Sequence, residues 1–125
     1  MLVACGVAVR EGRVLVCRRP SGVPYAGWWE FPSELLQGDE TLEDCLEKAF
    51  FGRLSVRLDA LGPVGAMDSA CDKSYRIFTY LTEFNEKKLC LTGYDCAKWV
   101  NINKLRNFRL FPDCVTIVKE IKNFF

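Results

Sequence analysis

The sequence predicts a single mixed α+β domain in which helices pack on a β-sheet. Two observations support this prediction. Four segments have the character of strands and two have the apolar spacing of amphipathic helices, in the order β-β-α-β-β-α. The chain of 125 residues is long enough for one domain, residues 1–125, and not for two. Half of its residues are hydrophobic, which is enough to build a core.

A β-hairpin is predicted at the start of the chain. Apolar residues alternate along residues 3–10, and a tight turn at 11–13 leads to a second strand over 14–18. The segment 19–27 is rich in Pro and Gly and is expected to be a loop. It leads into an aromatic cluster that we expect to be mostly core, formed by Trp28, Trp29 and Phe31.

A helix is predicted to begin after Thr41, which can act as its N-cap, with Asp44 in place of the usual capping-box Glu. Its buried stripe consists of Leu42, Leu46, Phe50 and Leu54. Glycine inside a helix costs about 1 kcal/mol relative to alanine. The helix is therefore expected either to continue through Gly52 or to end there.

The second half of the chain is predicted to form two more strands and a final helix. Residues 61–67 contain Gly and Pro and are expected to break the chain. Strands are expected over residues 75–84 and 98–102. Pro112 and Asp113 precede the last helix, whose apolar positions are Val115, Ile117, Val118, Ile121 and Phe124.

Composition excludes several classes of function. The formal net charge is +1, so no bulk field favours a nucleic acid polymer or an anionic membrane, and no apolar stretch is long enough to span a bilayer. The seven cysteines are odd in number, lack a C-x-x-C pair and occur without any histidine. They indicate reduced thiols that fill apolar gaps in a cytoplasmic protein, and not a zinc site. A histidine general base is excluded.

Four segments in sequence order resemble those of one enzyme family. They are residues 14–22 (VLVCRRPSG), 27–32 (GWWEFP), 38–41 (GDET) and 98–112 (KWVNINKLRNFRLFP). Together they resemble a Nudix hydrolase of the MutT-like branch. The resemblance implies a mixed sheet sandwiched between α-helices. It also implies Mg²⁺-dependent hydrolysis of nucleoside triphosphates such as 8-oxo-dGTP.

The Nudix box of this chain is degenerate. With its first glutamate set on Glu40, the box is matched by Lys48, Phe50 and Val56. The metal-binding glutamates of the family fall on Ala49, Gly52 and Arg53. The resemblance also places a later acidic ligand near Gly93 and the residue that reads the purine base near Cys114.

These replacements predict a weak or inactive catalyst with no high-affinity Mg²⁺. Alanine and glycine offer no oxygen ligand, and Arg53 carries a fixed positive charge. A divalent cation about 5 Å from Arg53 would be repelled by roughly 7 kcal/mol at an effective dielectric constant of about 20. No cofactor is therefore expected, and Mg²⁺ only if an altered metal site exists.

Three functions stay open from the sequence. In the first, Arg53 acts with Arg19 and Arg18 as a metal-free phosphate site, because guanidinium binds phosphate in a bidentate way. Phe31 and Cys114 are then expected to complete a nucleotide site. The competing interpretation of Arg53 is that it points into solvent.

The second function is an active pyrophosphohydrolase that uses Glu34 and Glu40 in an altered metal site. The third is a non-catalytic module that binds a protein partner. Glu40 and Lys48 are expected to form a structural ion pair. The remaining helix acids are expected to be its solvated face, namely Glu43, Asp44 and Glu47.

Overall fold

Alternation along the first two strands places neighbouring side chains on opposite faces of a sheet, so that each face builds its own core. The computed structural model of the protein describes residues 1–125. The strands are β1 (Leu2–Arg10), β2 (Arg13–Arg18), β3 (Trp29–Glu30), β4 (Ser33–Leu35), β5 (Asp59–Asp68), β6 (Arg76–Glu83) and β7 (Cys96–Asn101). The helices are α1 (Leu42–Leu54) and α2 (Pro112–Ile121), with short 3-10 turns at Ile102–Asn107 and Lys122–Phe124.

Strand β1 lies at the centre of a mixed sheet. It pairs parallel with β6 along most of its length. It also pairs antiparallel with β4 near its start and with β2 at its end. The edge strand β5 pairs with β6, while β3 and β7 both pair with β2. This arrangement brings the end of β2, the short strands β3 and β4, and the segment before β7 into one region.

Each face of the sheet is covered by one helix. Ala4 and Ala8 of β1 pack in the cluster that contains the buried stripe of α1. Cys5 and Val7 of the same strand pack in the cluster that contains the buried residues of α2. The predicted architecture, a mixed sheet between α-helices, is confirmed.

A close approach of α1 to the sheet depends on Gly6. A Cβ atom at this position would lie 2.6 Å from the ring of Phe50, a separation that real Cβ atoms essentially never show. The absence of a side chain at Gly6 lets the Phe50 ring lie directly on the backbone of β1.

The predicted boundaries of α1 are largely confirmed. Thr41 is the N-cap, and its Oγ1 accepts a hydrogen bond of 3.1 Å from the backbone N–H of Asp44. The helix continues through Gly52 to Leu54, so the option that it ends at Gly52 is wrong. Its C-cap is Ser55, which adopts the left-handed conformation with φ 58°.

The second half of the chain differs from the prediction in one strand. The segment predicted to break the chain lies inside β5, and its register with β6 shifts at two places. Pro63 is tolerated because β5 lies at the edge of the sheet, where a missing N–H breaks no ladder. Two short strands in the first half of the chain, β3 and β4, were not predicted. They contain two and three residues, which are too few to show the alternation of apolar residues that indicates a strand.

The final helix is also shifted from its prediction. It begins at Pro112, which occupies the first turn, and ends at Ile121. Three of its predicted apolar positions are buried, namely Ile117, Val118 and Ile121. Val115 and Phe124 are exposed, which contradicts their assignment to the buried face.

Four of the cysteines fill apolar gaps as predicted, namely Cys5, Cys17, Cys45 and Cys114. Cys71 and Cys90 are exposed, so for these two the prediction is wrong. All seven are free thiols. Neither helix has the length and apolar character that crossing a bilayer requires.

Candidate functional site

A polar cleft of about 320 Å³ opens where the end of β2, the strands β3 and β4 and the last turn of α1 meet. Its polar and charged lining comes from residues far apart in the chain: Arg19, Glu30, Ser33, Arg53 and Tyr94. A wider concavity of about 530 Å³ lies beside Phe124 and Phe125. Arg10 lines this concavity, but its guanidinium already donates hydrogen bonds to the carbonyl oxygens of Phe84 and Glu86. We therefore take the cleft lined by Arg19 and Arg53 as the candidate site.

Arg53 is directed into the cleft by the last turn of α1. Its Nη2 donates to Glu34 Oε2 at 2.8 Å, and its Nη1 donates to the Tyr94 hydroxyl at 3.2 Å. The side chain is 28% exposed, so the interpretation in which Arg53 simply points into solvent is wrong. The guanidinium is a fixed positive charge in the region where the resemblance expects carboxylates.

A second ion pair lies beside the first. Glu30 is buried, with 7% of its side chain exposed, and it forms an ion pair with Arg19 Nε. Its other oxygen accepts a hydrogen bond of 3.0 Å from the Tyr94 hydroxyl. Arg19 also donates to the Pro24 carbonyl oxygen at 3.1 Å and lies over the Phe111 ring at 4.6 Å. Glu30 is thereby supplied with the partners that a buried carboxylate requires.

Tyr94 joins the two pairs into one network. Its hydroxyl donates to Glu30 and accepts from Arg53, so the order is Arg19, Glu30, Tyr94, Arg53, Glu34. Burial, with the charge of Glu30 beside it, raises the pKa of the Tyr94 phenol well above its ordinary value. The phenol therefore stays neutral, and two guanidiniums balance two carboxylates.

The pKa of Arg53 reflects the same contacts. Burial alone would lower the pKa of the guanidinium. The interactions with Tyr94, Glu34 and Glu30 more than offset burial, and the net pKa is raised. Arg53 is therefore a permanent cation, and a chemical role as a general base is excluded.

The residues of the cleft do not fit the divalent cation that the resemblance implies. Ala49 is buried and Gly52 is exposed, and neither has an oxygen ligand. The only carboxylate that contacts Arg53, that of Glu34, is already neutralised by it. No group of three or more His, Cys, Asp or Glu side chains is arranged to hold a metal ion. A hard cation needs several free oxygen ligands together, whereas the two carboxylates of the network, Glu30 and Glu34, are each already paired with an arginine.

Glu40 lies in a separate ion pair. Its Oε2 accepts from Lys48 Nζ at 2.8 Å, and its Oε1 accepts from the backbone N–H of Gln37 at 2.9 Å. The predicted Glu40–Lys48 pair is confirmed. The acids within α1, namely Glu43, Asp44 and Glu47, are exposed as predicted, and Glu43 also accepts a hydrogen bond from Tyr80.

The cleft brings together only part of the predicted phosphate site. Arg19 and Arg53 both line it, and so does Gly93, which has no side chain to contribute. Arg18 is paired with Asp95 at 2.7 Å and does not line the cleft.

The two residues predicted to complete a nucleotide site are buried. Cys114 Sγ accepts a hydrogen bond of 3.5 Å from the Phe31 N–H, and burial raises the pKa of this thiol to about 12. The recess lined by Phe31 measures about 30 Å³, which suits a water molecule and not a purine ring. In this conformation neither residue presents a surface to a ligand.

Sequence reasoning missed Glu30 and Tyr94, which hold the network together. Glu30 carried a usable signal, because it is a lone acid between Trp29 and Phe31, two members of an aromatic cluster that was expected to be mostly core. Tyr94 carried no comparable signal, since it lies 64 residues from Glu30 in a loop.

Comparison with known proteins shows the fold. No protein-family model matches the chain, and no curated protein matches it. Among solved structures, the MutT NUDIX hydrolase from Burkholderia pseudomallei has a TM-score of 0.84 at 18% identity, covering 97% of each chain. The ORF135 protein of E. coli has a TM-score of 0.81 at 17% identity, covering 98% of this chain and 89% of that chain.

A third similar structure contains a ligand. The NUDIX domain of Shewanella oneidensis NrtR, solved as a complex with ADP ribose, has a TM-score of 0.73 at 18% identity. The match covers 99% of this chain and 87% of that chain. The chain therefore has the Nudix fold, and the fold predicted from the sequence is confirmed.

Proposed function

We propose that this Nudix-fold protein binds a phosphorylated small molecule in the Arg19–Arg53 cleft without a divalent cation, and that it hydrolyses nucleotides weakly or not at all. One observation carries the proposal. The guanidinium of Arg53 lies in the cleft, bonded to Glu34 and Tyr94, in the region where the resemblance expects metal-binding carboxylates.

The two guanidiniums have unused capacity to bind an anion. A guanidinium has five N–H donors. Arg53 uses two of them, on Glu34 and Tyr94, and Arg19 uses two, on Glu30 and Pro24. The free donors on two guanidiniums that line the same cleft suit a phosphate or diphosphate group, which accepts several hydrogen bonds at once.

The size of the cleft supports a ligand that is recognised mainly through its phosphates. About 320 Å³ is open beside Arg19 and Arg53, whereas the recess behind them has only about 30 Å³. The NUDIX domain of NrtR, which has the same fold, was solved in complex with ADP ribose, and this supports a nucleotide-type ligand. We also propose a cytoplasmic location, because the seven cysteines are free thiols and the cytoplasm keeps thiols reduced.

The two alternative functions have weaker support. An altered metal site would need Glu34 and Glu40 together, and each carboxylate is held by a different cation, Arg53 and Lys48. A protein-interaction module would need a contiguous apolar surface, and the large exposed apolar side chains include Phe51 in α1, Leu61 in β5 and Phe124 in the last 3-10 turn, which belong to three different elements.

The proposal is tested by titration calorimetry in EDTA with pyrophosphate, ADP and ADP-ribose. We expect wild-type protein to bind at least one of them. Arg53→Ala should weaken that affinity tenfold or more, because it removes charge-assisted hydrogen bonds. Arg106→Ala, which removes an exposed arginine outside the cleft, should leave the affinity unchanged. Absence of binding by the wild type, or equal binding by Arg53→Ala, would refute the proposal.

A further inference from the structure

We infer that Glu34 occupies the anion site of Arg53 while the cleft is empty, and that a multiply charged phosphate group binds by displacing the Glu34 carboxylate. The inference rests on the proposed function and specifies it in two ways. It assigns the ligand to phosphate dianions and diphosphates, and it makes Glu34 the residue that sets the affinity for them.

The Glu34–Arg53 contact has the form of the contact that a phosphate would make. Glu34 Oε2 accepts a charge-assisted hydrogen bond from Arg53 Nη2 at 2.8 Å. A phosphate oxygen is the other common acceptor for the same N–H group, and a guanidinium does not distinguish the two by geometry. The carboxylate therefore competes directly with an incoming phosphate for one donor.

Glu34 is the carboxylate that is free to leave. Its side chain is 43% exposed, and its only other hydrogen bond is a contact of 3.2 Å from the adjacent Leu35 N–H. Glu30, by contrast, is 7% exposed and is held by both Arg19 and Tyr94. Partly exposed ion pairs contribute little to stability, so breaking the Glu34 contact costs little.

Displacement of Glu34 makes the cleft positive. While it is in place, Arg53 is neutralised by Glu34 and Arg19 is neutralised by Glu30. Once Glu34 rotates into solvent, Arg53 keeps only the neutral Tyr94 hydroxyl as a partner. The attraction of Arg53 for an anion scales with the charge of the anion, so a dianion competes with the carboxylate better than a monoanion does.

The test compares Glu34→Gln with wild-type protein by calorimetric titration of pyrophosphate in EDTA. The amide keeps the size of the side chain and removes the competing charge. We expect affinity to increase about tenfold. The affinity for adenosine, which is uncharged, should be the same in Glu34→Gln and in wild type. Glu47→Gln is the matched control, because it removes the same charge from the exposed face of α1 and should leave affinity unchanged.

Two further variants make the result decisive. Arg53→Ala combined with Glu34→Gln should show none of the gain, since the displaced carboxylate acts only through Arg53. Circular dichroism checks that Glu34→Gln is folded. If it is not, Glu34→Ala takes its place and should show the same increase in affinity for pyrophosphate.

The failure of this inference is distinguishable from failure of the proposed function. If Arg53→Ala weakens pyrophosphate binding while Glu34→Gln binds no tighter than wild type, Glu34 is not a competitor and only this inference is overturned. If neither wild type nor Glu34→Gln binds pyrophosphate, the proposed function fails and this inference fails with it.

Discussion

Arg53 shows how one side chain can decide the chemistry of a site at the scale of the residue. It brings a permanent positive charge into a cleft where the resemblance expects carboxylates, and it is stabilised there by Glu34 and Tyr94. The guanidinium is bonded to a carboxylate oxygen and a phenol oxygen, the kinds of atom that also bind a metal cation. A second cation at the same place would meet repulsion from Arg53.

Gly52 lies beside Arg53 in α1 and permits a direct test of the local structure. It is exposed, its φ is not positive, and a Cβ atom there would meet nothing within 4 Å. We expect Gly52→Ala to raise the free energy of unfolding by about 0.5–1 kcal/mol, measured by urea denaturation, because alanine loses less backbone entropy in a helix.

Gly27→Ala is the control for this prediction. Its surroundings are equally open, but its φ is +81°, a conformation that alanine adopts at a cost of roughly 1 kcal/mol. This variant should be less stable than wild type. If Gly52→Ala proved destabilising as well, the helix would not continue through residue 52 as described.

The limits of sequence reasoning are visible in these same residues. Arg19 and Arg53 were identified because their positions follow from a motif and its spacing. Tyr94 was missed because its role depends on contacts with side chains 41 and 64 residues away. Such partners are set by the pairing of strands and loops, which local patterns do not specify.

At the scale of the element, α1 is specified well by local signals. The N-cap at Thr41, the four-residue apolar spacing and the left-handed Ser55 that ends the helix all act within a few residues. The Glu40–Lys48 pair adds a link from the residue before the cap to the middle of the helix.

This pair leads to a prediction about pH. The hydrogen bond from Lys48, followed by the backbone N–H of Gln37, lowers the pKa of Glu40 below its ordinary 4.5. The ionised carboxylate therefore stabilises the fold fully above pH 4.5, and this contribution disappears as the pH falls through the lower folded-state pKa. Glu40→Gln should lower the melting temperature by about 1–2 °C at pH 7.

Thermal denaturation followed from pH 7 down to pH 3 measures this difference. The gap between wild type and Glu40→Gln should close on acidification below pH 4.5. The Glu47 carboxylate makes no hydrogen bond of this kind, so the melting temperature of Glu47→Gln should equal that of wild type at every pH. A gap that stayed constant down to pH 3 would mean that the Glu40–Lys48 pair is not formed in solution.

Strand β5 shows where local signals mislead. Its Gly and Pro residues predict a break, yet the segment lies in a ten-residue strand that pairs with β6 with two shifts of register. An edge strand needs hydrogen bonds on one side only, so residues that would disrupt a central strand are tolerated. Whether a strand lies at the edge is a property of the whole sheet.

At the scale of the whole molecule, the charged residues of the site are not the residues that carry the fold, and Tyr94 belongs to both: its ring packs in the cluster that contains the buried stripe of α1, and its hydroxyl joins the site network. Two apolar clusters on opposite faces of the sheet carry the fold, and neither includes Gly52 or Arg53. Metal-binding carboxylates can therefore be absent while the Nudix fold persists with TM-scores near 0.8. This separation explains why the fold was predictable from the sequence whereas the function requires an argument about particular side chains.

The central claim is that this Nudix fold lacks metal-dependent hydrolysis, and one measurement of product release tests it most directly. The protein is incubated with dNTPs, 8-oxo-dGTP, NADH and ADP-ribose, first in Mg²⁺ and then in Mn²⁺, and the released monophosphate and pyrophosphate are quantified. We predict that release stays close to that of buffer for every substrate, because hydrolysis is weak or absent. Turnover well above background that is lost in EDTA and abolished by Glu34→Gln or Glu40→Gln would contradict the claim, because acids of this chain would then be holding a catalytic metal ion.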